Sequence, residues 1–168
     1  CWDINELIKI KETCLDHNLS YHLDGARIWN AMVKTNTEPT QYGNIFDSIS
    51  ICLSKGLGCP VGSVLIGSSE FINKAIRVRK VLGGGMRQAG YLAACGIYAL
   101  NNNIERLKED HLKALEIEKL LSKKNYIKKV EEVETNILIF QLKSNYDSNI
   151  FLKKMLDCGV KLISMGDN

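Results

Sequence analysis

Three short apolar runs constrain this chain more than anything else in it. Leu19 to Leu23, Asp47 to Leu53 and Gly62 to Gly67 are each the length of a strand, with helical patterns after the first and the third. Nearly continuous apolar strands interleaved with helices predict a sheet buried on both faces, as in a doubly wound α/β domain. Such sheets build their sites where strands open into turns at their carboxyl ends. Two of the runs end in charge: His22-Leu23-Asp24-Gly25-Ala26-Arg27 after the first, and Ser54-Lys55-Gly56-Leu57-Gly58 after the second.

Helical periodicity fills the spaces between and after the runs. Asn5 to Asp16 carries Leu7, Ile8, Cys14 and Leu15 on one stripe, with Asp3 as its cap and Glu6 as a capping-box partner. Ala26 to Val33 predicts a short helix, followed by a polar loop through Glu38-Pro39-Thr40. Ser68/Ser69 with Glu70 open a helix running toward Lys80, which Gly83-Gly84-Gly85 breaks, either as a flexible hinge or as part of a site. Arg87 to Leu100 is apolar on nearly all sides, so a buried helix is expected, part of it meeting another subunit or segments outside this chain. A longer amphipathic helix follows, with Ile104, Leu107, Ala114, Leu115, Ile117 and Leu121 on one face. Composition shifts at Ser122-Lys123-Lys124-Asn125, which places a domain boundary near Lys123 and divides the chain into 1–122 and 123–168. The second part is predicted as a small α/β unit. Its strands fall at 131–133 and 137–142, a helix at 147–158 and a closing strand at 160–165.

Composition excludes several functions. Lys+Arg 22 against Asp+Glu 19 gives a net charge of +3, and the basic residues are scattered rather than concentrated on a face, which argues against nucleic acid. The six cysteines, at 1, 14, 52, 59, 95 and 158, form no C-x-x-C pair and no zinc-ligand spacing, so no metal site is expected and a reducing, cytoplasmic setting fits. No apolar run approaches the roughly 18 residues of a membrane span. The chain opens on Cys1 with no signal-peptide pattern and reads as an internal fragment.

Taken singly, Asp24 suits a turn, Arg27 a solvated first helical turn and Lys55 a surface. Their shared placement at strand ends changes the balance, because an unpaired charge buried there costs several kcal/mol. An anionic cofactor that also demands a proton accounts for all three. A neutral lysine amine can form a Schiff base with an aldehyde cofactor, a carboxylate can hold a pyridine nitrogen protonated, and an arginine can stabilise a phenolate oxygen. These are the demands of pyridoxal phosphate. Arg87, read as opening a helix, could meet an anion there. His17 and His111 are read as surface residues. His22 is expected on the opposite strand face from Asp24 and is assigned no catalysis.

Three stretches then resemble one family. His22 to Ala31, Cys52 to Gly62 and Arg79 to Gly90 (the last reading Arg-Lys-Val-Leu-Gly-Gly-Gly-Met-Arg-Gln-Ala-Gly) are similar to low-specificity threonine aldolase, of the aspartate-aminotransferase superfamily. Glu134-Thr135-Asn136-Ile137 resembles that family's entry to the small domain. The resemblance implies pyridoxal-phosphate transferase fold type I, with part of the large doubly wound mixed-sheet domain and most of the small domain. It implies that Lys55 carries the covalent link to the cofactor, Asp24 pairs with the pyridine nitrogen and Arg27 contacts the phenolic oxygen. Lys80 and Arg87 would serve the phosphate and substrate region. The implied reaction cleaves threonine or allo-threonine to glycine and acetaldehyde in a homodimer or homotetramer. Another β-eliminating lyase, or a non-catalytic oligomerisation module, are the alternatives. The resemblance also implies a phosphate loop before Cys1 and a carboxylate-binding arginine after Asn168.

Overall fold

Asp47 organises the sheet of the first unit. Its Oδ2 accepts from Tyr21 N at 2.7 Å, its Oδ1 accepts from Lys11 Nζ at 2.7 Å, and its own N donates to Tyr21 O at 2.9 Å. These bonds join the residues just before two strands, β1 (His22–Gly25) and β2 (Ser48–Cys52), which run parallel with Asp24 beside Ser50 and Gly25 beside Ile51. Strand β3 (Ser63–Gly67) pairs with β2 antiparallel, giving the order β1-β2-β3. This computed structural model describes residues 1–166 and divides into two compact units, Cys1–Glu109 and Asp110–Asn168. The division falls upstream of the compositional shift at Lys123.

Helix α1 (Ile4–Asp16) starts where predicted, with Asp3 Oδ1 accepting from Asn5 N. Helix α2 (Ile28–Thr35) follows β1 and ends at Asn36 in the left-handed conformation. The polar loop expected through Glu38-Pro39-Thr40 is instead the start of helix α3 (Pro39–Ile45). Proline occupies the first helical position, where its missing N–H costs nothing, and the Gln41 side chain reaches back to Glu38 N at 2.9 Å. Leu7, Ile28, Met32, Tyr42, Ile45, Phe46, Ile49 and Ile51 close the core that these elements share.

Helix α4 (Ser69–Val81) is capped by Ser68, whose Oγ accepts from Phe71 N. Its end is more ordered than a hinge. Gly83, at φ +82, donates to Lys80 O, and Gly84 donates to Arg79 O at 2.8 Å, the paired bonds of a Schellman stop. Helix α5 (Gly90–Asn102) begins three residues later than Arg87, and the burial expected of it is a second correction. Only Gly96 and Ala99 are buried, while Tyr91 is 84% exposed. The described residues provide no layer over its outer face, so its apolar character is unmet by this chain.

Helix α6 (Leu107–Leu121) crosses between the units. His111 is 7% exposed rather than on the surface, because it lies four residues after Leu107 and three before Ala114 on the same buried stripe. In the second unit β4 (Ile127–Val130) and β5 (Phe140–Leu142) form an antiparallel hairpin. The strand expected at 131–133 lies upstream of that position. One ladder bond continues past it, Glu131 N to Ile139 O, before the buried Val133 turns away and donates to Glu118 Oε1. Tyr126, Phe140, Tyr146 and Phe151 pack edge-on or tilted around the hairpin and helix α7 (Ser148–Asp157). The closing strand expected at 160–165 is not formed. Gly159, at φ +80, stops α7, and the residues after it pair with no strand among those described.

Candidate active site

Because β1 and β2 are parallel neighbours, their carboxyl ends open on the same edge of the sheet. Asp24 stands at the end of β1, and its Oδ1 accepts from Ala26 N at 3.2 Å, a turn that feeds the chain into α2. Arg27 is the residue before α2, with φ −130 and ψ 30. Close packing fixes this corner, since a Cβ on Gly25 would come within 2.6 Å of Ser50 O and 3.3 Å of Ile28 Cβ.

Lys55 follows β2 in a loop that closes on itself. Leu53 N donates to Gly62 O, Cys59 N donates to Leu53 O, and Gly58 N donates to Lys55 O at 2.9 Å. Gly58 takes φ +75, a conformation that favours glycine. Gly56 is confined differently: an added Cβ would lie 2.8 Å from Leu107 Cδ2 and 3.4 Å from Asn30 Oδ1. Leu57, 2% exposed, anchors the turn in a second core with Cys59, Ala99 and Leu107. The glycines around Lys55 therefore answer to local packing and turn geometry, whatever else approaches them.

Asn30 and Asn103 hold this loop, and neither stood out in the sequence. Asn30 is 3% exposed on α2 and packs beside Gly56, which links the Arg27 helix to the Lys55 turn. Asn103, just after α5, donates from Nδ2 to Leu57 O at 2.7 Å. A polar residue on an otherwise apolar helix face was the available signal for Asn30. For Asn103 there was none, because its partner is 46 residues away.

Asp24, Arg27 and Lys55 thus gather at one sheet edge, and all three are exposed. The burial cost invoked for them from the sequence does not apply in this chain. Lys80 and Arg87 come from segments that follow β3. Because β3 is antiparallel, α4 starts at the opposite edge of the sheet; Lys80 lies in its last turn, against Gly85, and Arg87 precedes α5 in an exposed bend. Arg87 does not open a helix as expected. His22 also departs from expectation. It lies two residues before Asp24 and hence on the same strand face, where its Nδ1 is 2.8 Å from Ser48 Oγ. Two cavities, of about 410 and 430 Å³, lie along α5, and neither is lined by Asp24, Arg27 or Lys55. Among the described residues no cluster of His, Cys, Asp or Glu is arranged to hold a metal, and no helix is long and apolar enough to cross a membrane.

A mixed α/β sheet with β1 and β2 parallel and β3 antiparallel is a fold shared with solved structures. A Listeria monocytogenes protein, described provisionally as an L-allo-threonine aldolase, superposes with a TM-score of 0.81 at 24% identity. The match covers 97% of this chain and 46% of that one, a likeness that shows the fold. Residues 1–145 match the profile of the beta-eliminating lyase family, and the chain belongs to that family. The low specificity L-threonine aldolase of Saccharomyces cerevisiae is 41% identical over 164 residues, 96% of this chain and 42% of the relative. That of Escherichia coli K12 is 58% identical over 96 residues, 57% of this chain and 29% of the relative. The chain spans less than half the length of these relatives.

Proposed function

We propose that this chain carries the lysine-bearing part of a pyridoxal-phosphate-dependent carbon–carbon lyase that cleaves L-threonine or L-allo-threonine to glycine and acetaldehyde. The observation that carries the reading is the convergence of Asp24, Arg27 and the Lys55 loop on one edge of a parallel strand pair, in a chain 41% identical to a threonine aldolase over 164 residues. The donor set suits the cofactor: one carboxylate, one guanidinium and one amine, each exposed at the edge where a ligand would enter.

When bound, the cofactor supplies an electron sink for a carbanion at the substrate Cα. Asp24 would hold the proton of the ring nitrogen, its carboxylate oriented through Oδ1 by the Ala26 N–H. Arg27 would balance the negative charge at the ring oxygen. Lys55 would hold the cofactor through its side-chain amine. Lys80 and Arg87 serve the phosphate and substrate region in an assembly of two or four copies, where a second copy also covers the outer face of α5. A cytoplasmic setting accords with six cysteines that form no C-x-x-C pair.

Borohydride reduction of the full-length protein with pyridoxal phosphate, followed by peptide mapping, tests the central assignment. Label on Lys55 is the expected result, and label on a different lysine overturns it. The family description leaves a β-elimination reaction as a second reading. Turnover of threonine and allo-threonine, but not of serine or tryptophan, separates the aldolase from it.

A further inference from the structure

Cys59 and Cys95 meet in a place that the chemistry above does not use. Cys59 closes the Lys55 loop and is buried, while Cys95 sits midway along α5 and is exposed. The Cys59 thiol donates to Cys95 O at 3.7 Å. That contact makes the two residues, 36 apart in sequence, direct neighbours between the loop and the helix. Both line the same cavity of about 410 Å³, whose other walls are mostly small or apolar: Gly58, Pro60, Ala94, Ala99. Burial first, and the Cys95 thiol second, hold the Cys59 thiol above its ordinary range, as two adjacent acids in an apolar wall should.

We propose that Cys59 and Cys95 are a redox-active dithiol, oxidised to an intramolecular disulfide by a small-molecule disulfide of the glutathione class. Exposure orders the steps. The Cys95 thiolate attacks one sulfur of the incoming disulfide, its S–S bond breaks, and one small thiolate leaves. The Cys59 thiolate then attacks Cys95 Sγ and expels the second. One external disulfide is reduced to two thiols, two protein thiols become one disulfide, and their two protons go to the departing thiolates. The bond ties the loop of residues 53–62 to α5 at a second point, beside the Asn103 to Leu57 hydrogen bond. Disulfide formation itself does not depend on Lys55 having the role proposed above.

The test uses the full-length protein in oxidised-to-reduced glutathione buffers, quenched by alkylation and digested without reductant. A Cys59–Cys95 linked peptide is expected, exceeding any glutathione adduct on Cys95 by about tenfold or more because the resolving thiol is adjacent. Cys59→Ser should leave a persistent adduct on Cys95, and Cys95→Ser should leave the buried Cys59 unmodified. Cys59→Ala serves if the serine variant does not fold, and the wild-type peptide map decides the matter without either. A lasting Cys95 adduct with no linkage in the wild type, linkage of Cys59 to another cysteine, or no reaction at either residue overturns the proposal.

Discussion

Gly25→Ala probes the corner that sets Asp24 in place. The new Cβ would stand 2.6 Å from the Ser50 carbonyl oxygen, where side-chain carbons essentially never come within 3.0 Å, so at least 0.4 Å (3.0 minus 2.6) must open between β1 and β2. The obstacle is backbone in the neighbouring strand, and it cannot swing aside like the tip of a side chain. Ile28 Cβ and Ile49 Cγ2, both at 3.3 Å from the new carbon and both on buried residues, block the other directions. Overpacking of this kind costs about 1–3 kcal/mol. The stiffer unfolded chain returns about 0.4–1 kcal/mol. A net loss of about 1–2 kcal/mol is expected, read as a lower denaturation midpoint at unchanged slope in urea titrations of the full-length protein. A Gly25→Ala protein as stable as the parent would refute the packing account of this corner.

Gly43→Ala should move stability the other way: an added Cβ meets nothing within 4 Å inside α3, and a helical alanine is worth about 0.5–1 kcal/mol over glycine, measured in the same titrations. Asp47 predicts a pH effect. The Lys11 ammonium, chiefly by its hydrogen bond, and then the Tyr21 N–H hold its carboxyl below the usual carboxylate range. Its contribution should be complete above the unfolded value of about 3.9 and lost as pH falls through the lower folded value, a slope that Asp47→Asn abolishes in midpoint-against-pH measurements. Asp24→Asn keeps the shape but not the charge; the full-length variant should still take up the cofactor yet lose about 3 kcal/mol of transition-state stabilisation, roughly a hundredfold in turnover. Unchanged turnover would leave Asp24 as a turn residue alone.

Much of the first unit was legible because its signals are local. Asp3 and Ser68 cap the helices they precede, and the runs at 47–53 and 62–67 became β2 and β3, whereas β1 begins three residues after the first run does, leaving Leu19 exposed. Helix α3 was missed because polar residues around Pro39 look like a loop until Gln41 is seen to close the capping bond. His111 was misplaced because residue type was weighed over position, when the Leu107–Ala114 stripe passes through it. The residues at 160–165 have the composition of a strand, but a strand exists only where another offers its ladder. His22 needed only the two-residue period of its own strand. Among the proposed site residues, Asp24, Arg27 and Lys55 stand out because charge at the end of an apolar run is conspicuous. Asn30 left only the faint signal of a polar residue on an apolar helix face, and Asn103 left none, since the significance of each is a contact with a loop far along the chain.

The exposure of α5 bears on both proposals. Composition demanded burial of this helix, yet its outer residues meet solvent while Gly96 and Ala99 pack inward. An apolar helix uncovered on one side is a demand for a further layer, and the second copy proposed above meets it. Cys95 lies on the same helix, so that layer could also control access to the dithiol. If the covering layer reaches Cys95, oxidation by glutathione disulfide should speed up when the assembly is diluted toward single copies. If the cavity opens elsewhere, the rate of linkage is independent of protein concentration, and the two features of α5 act separately.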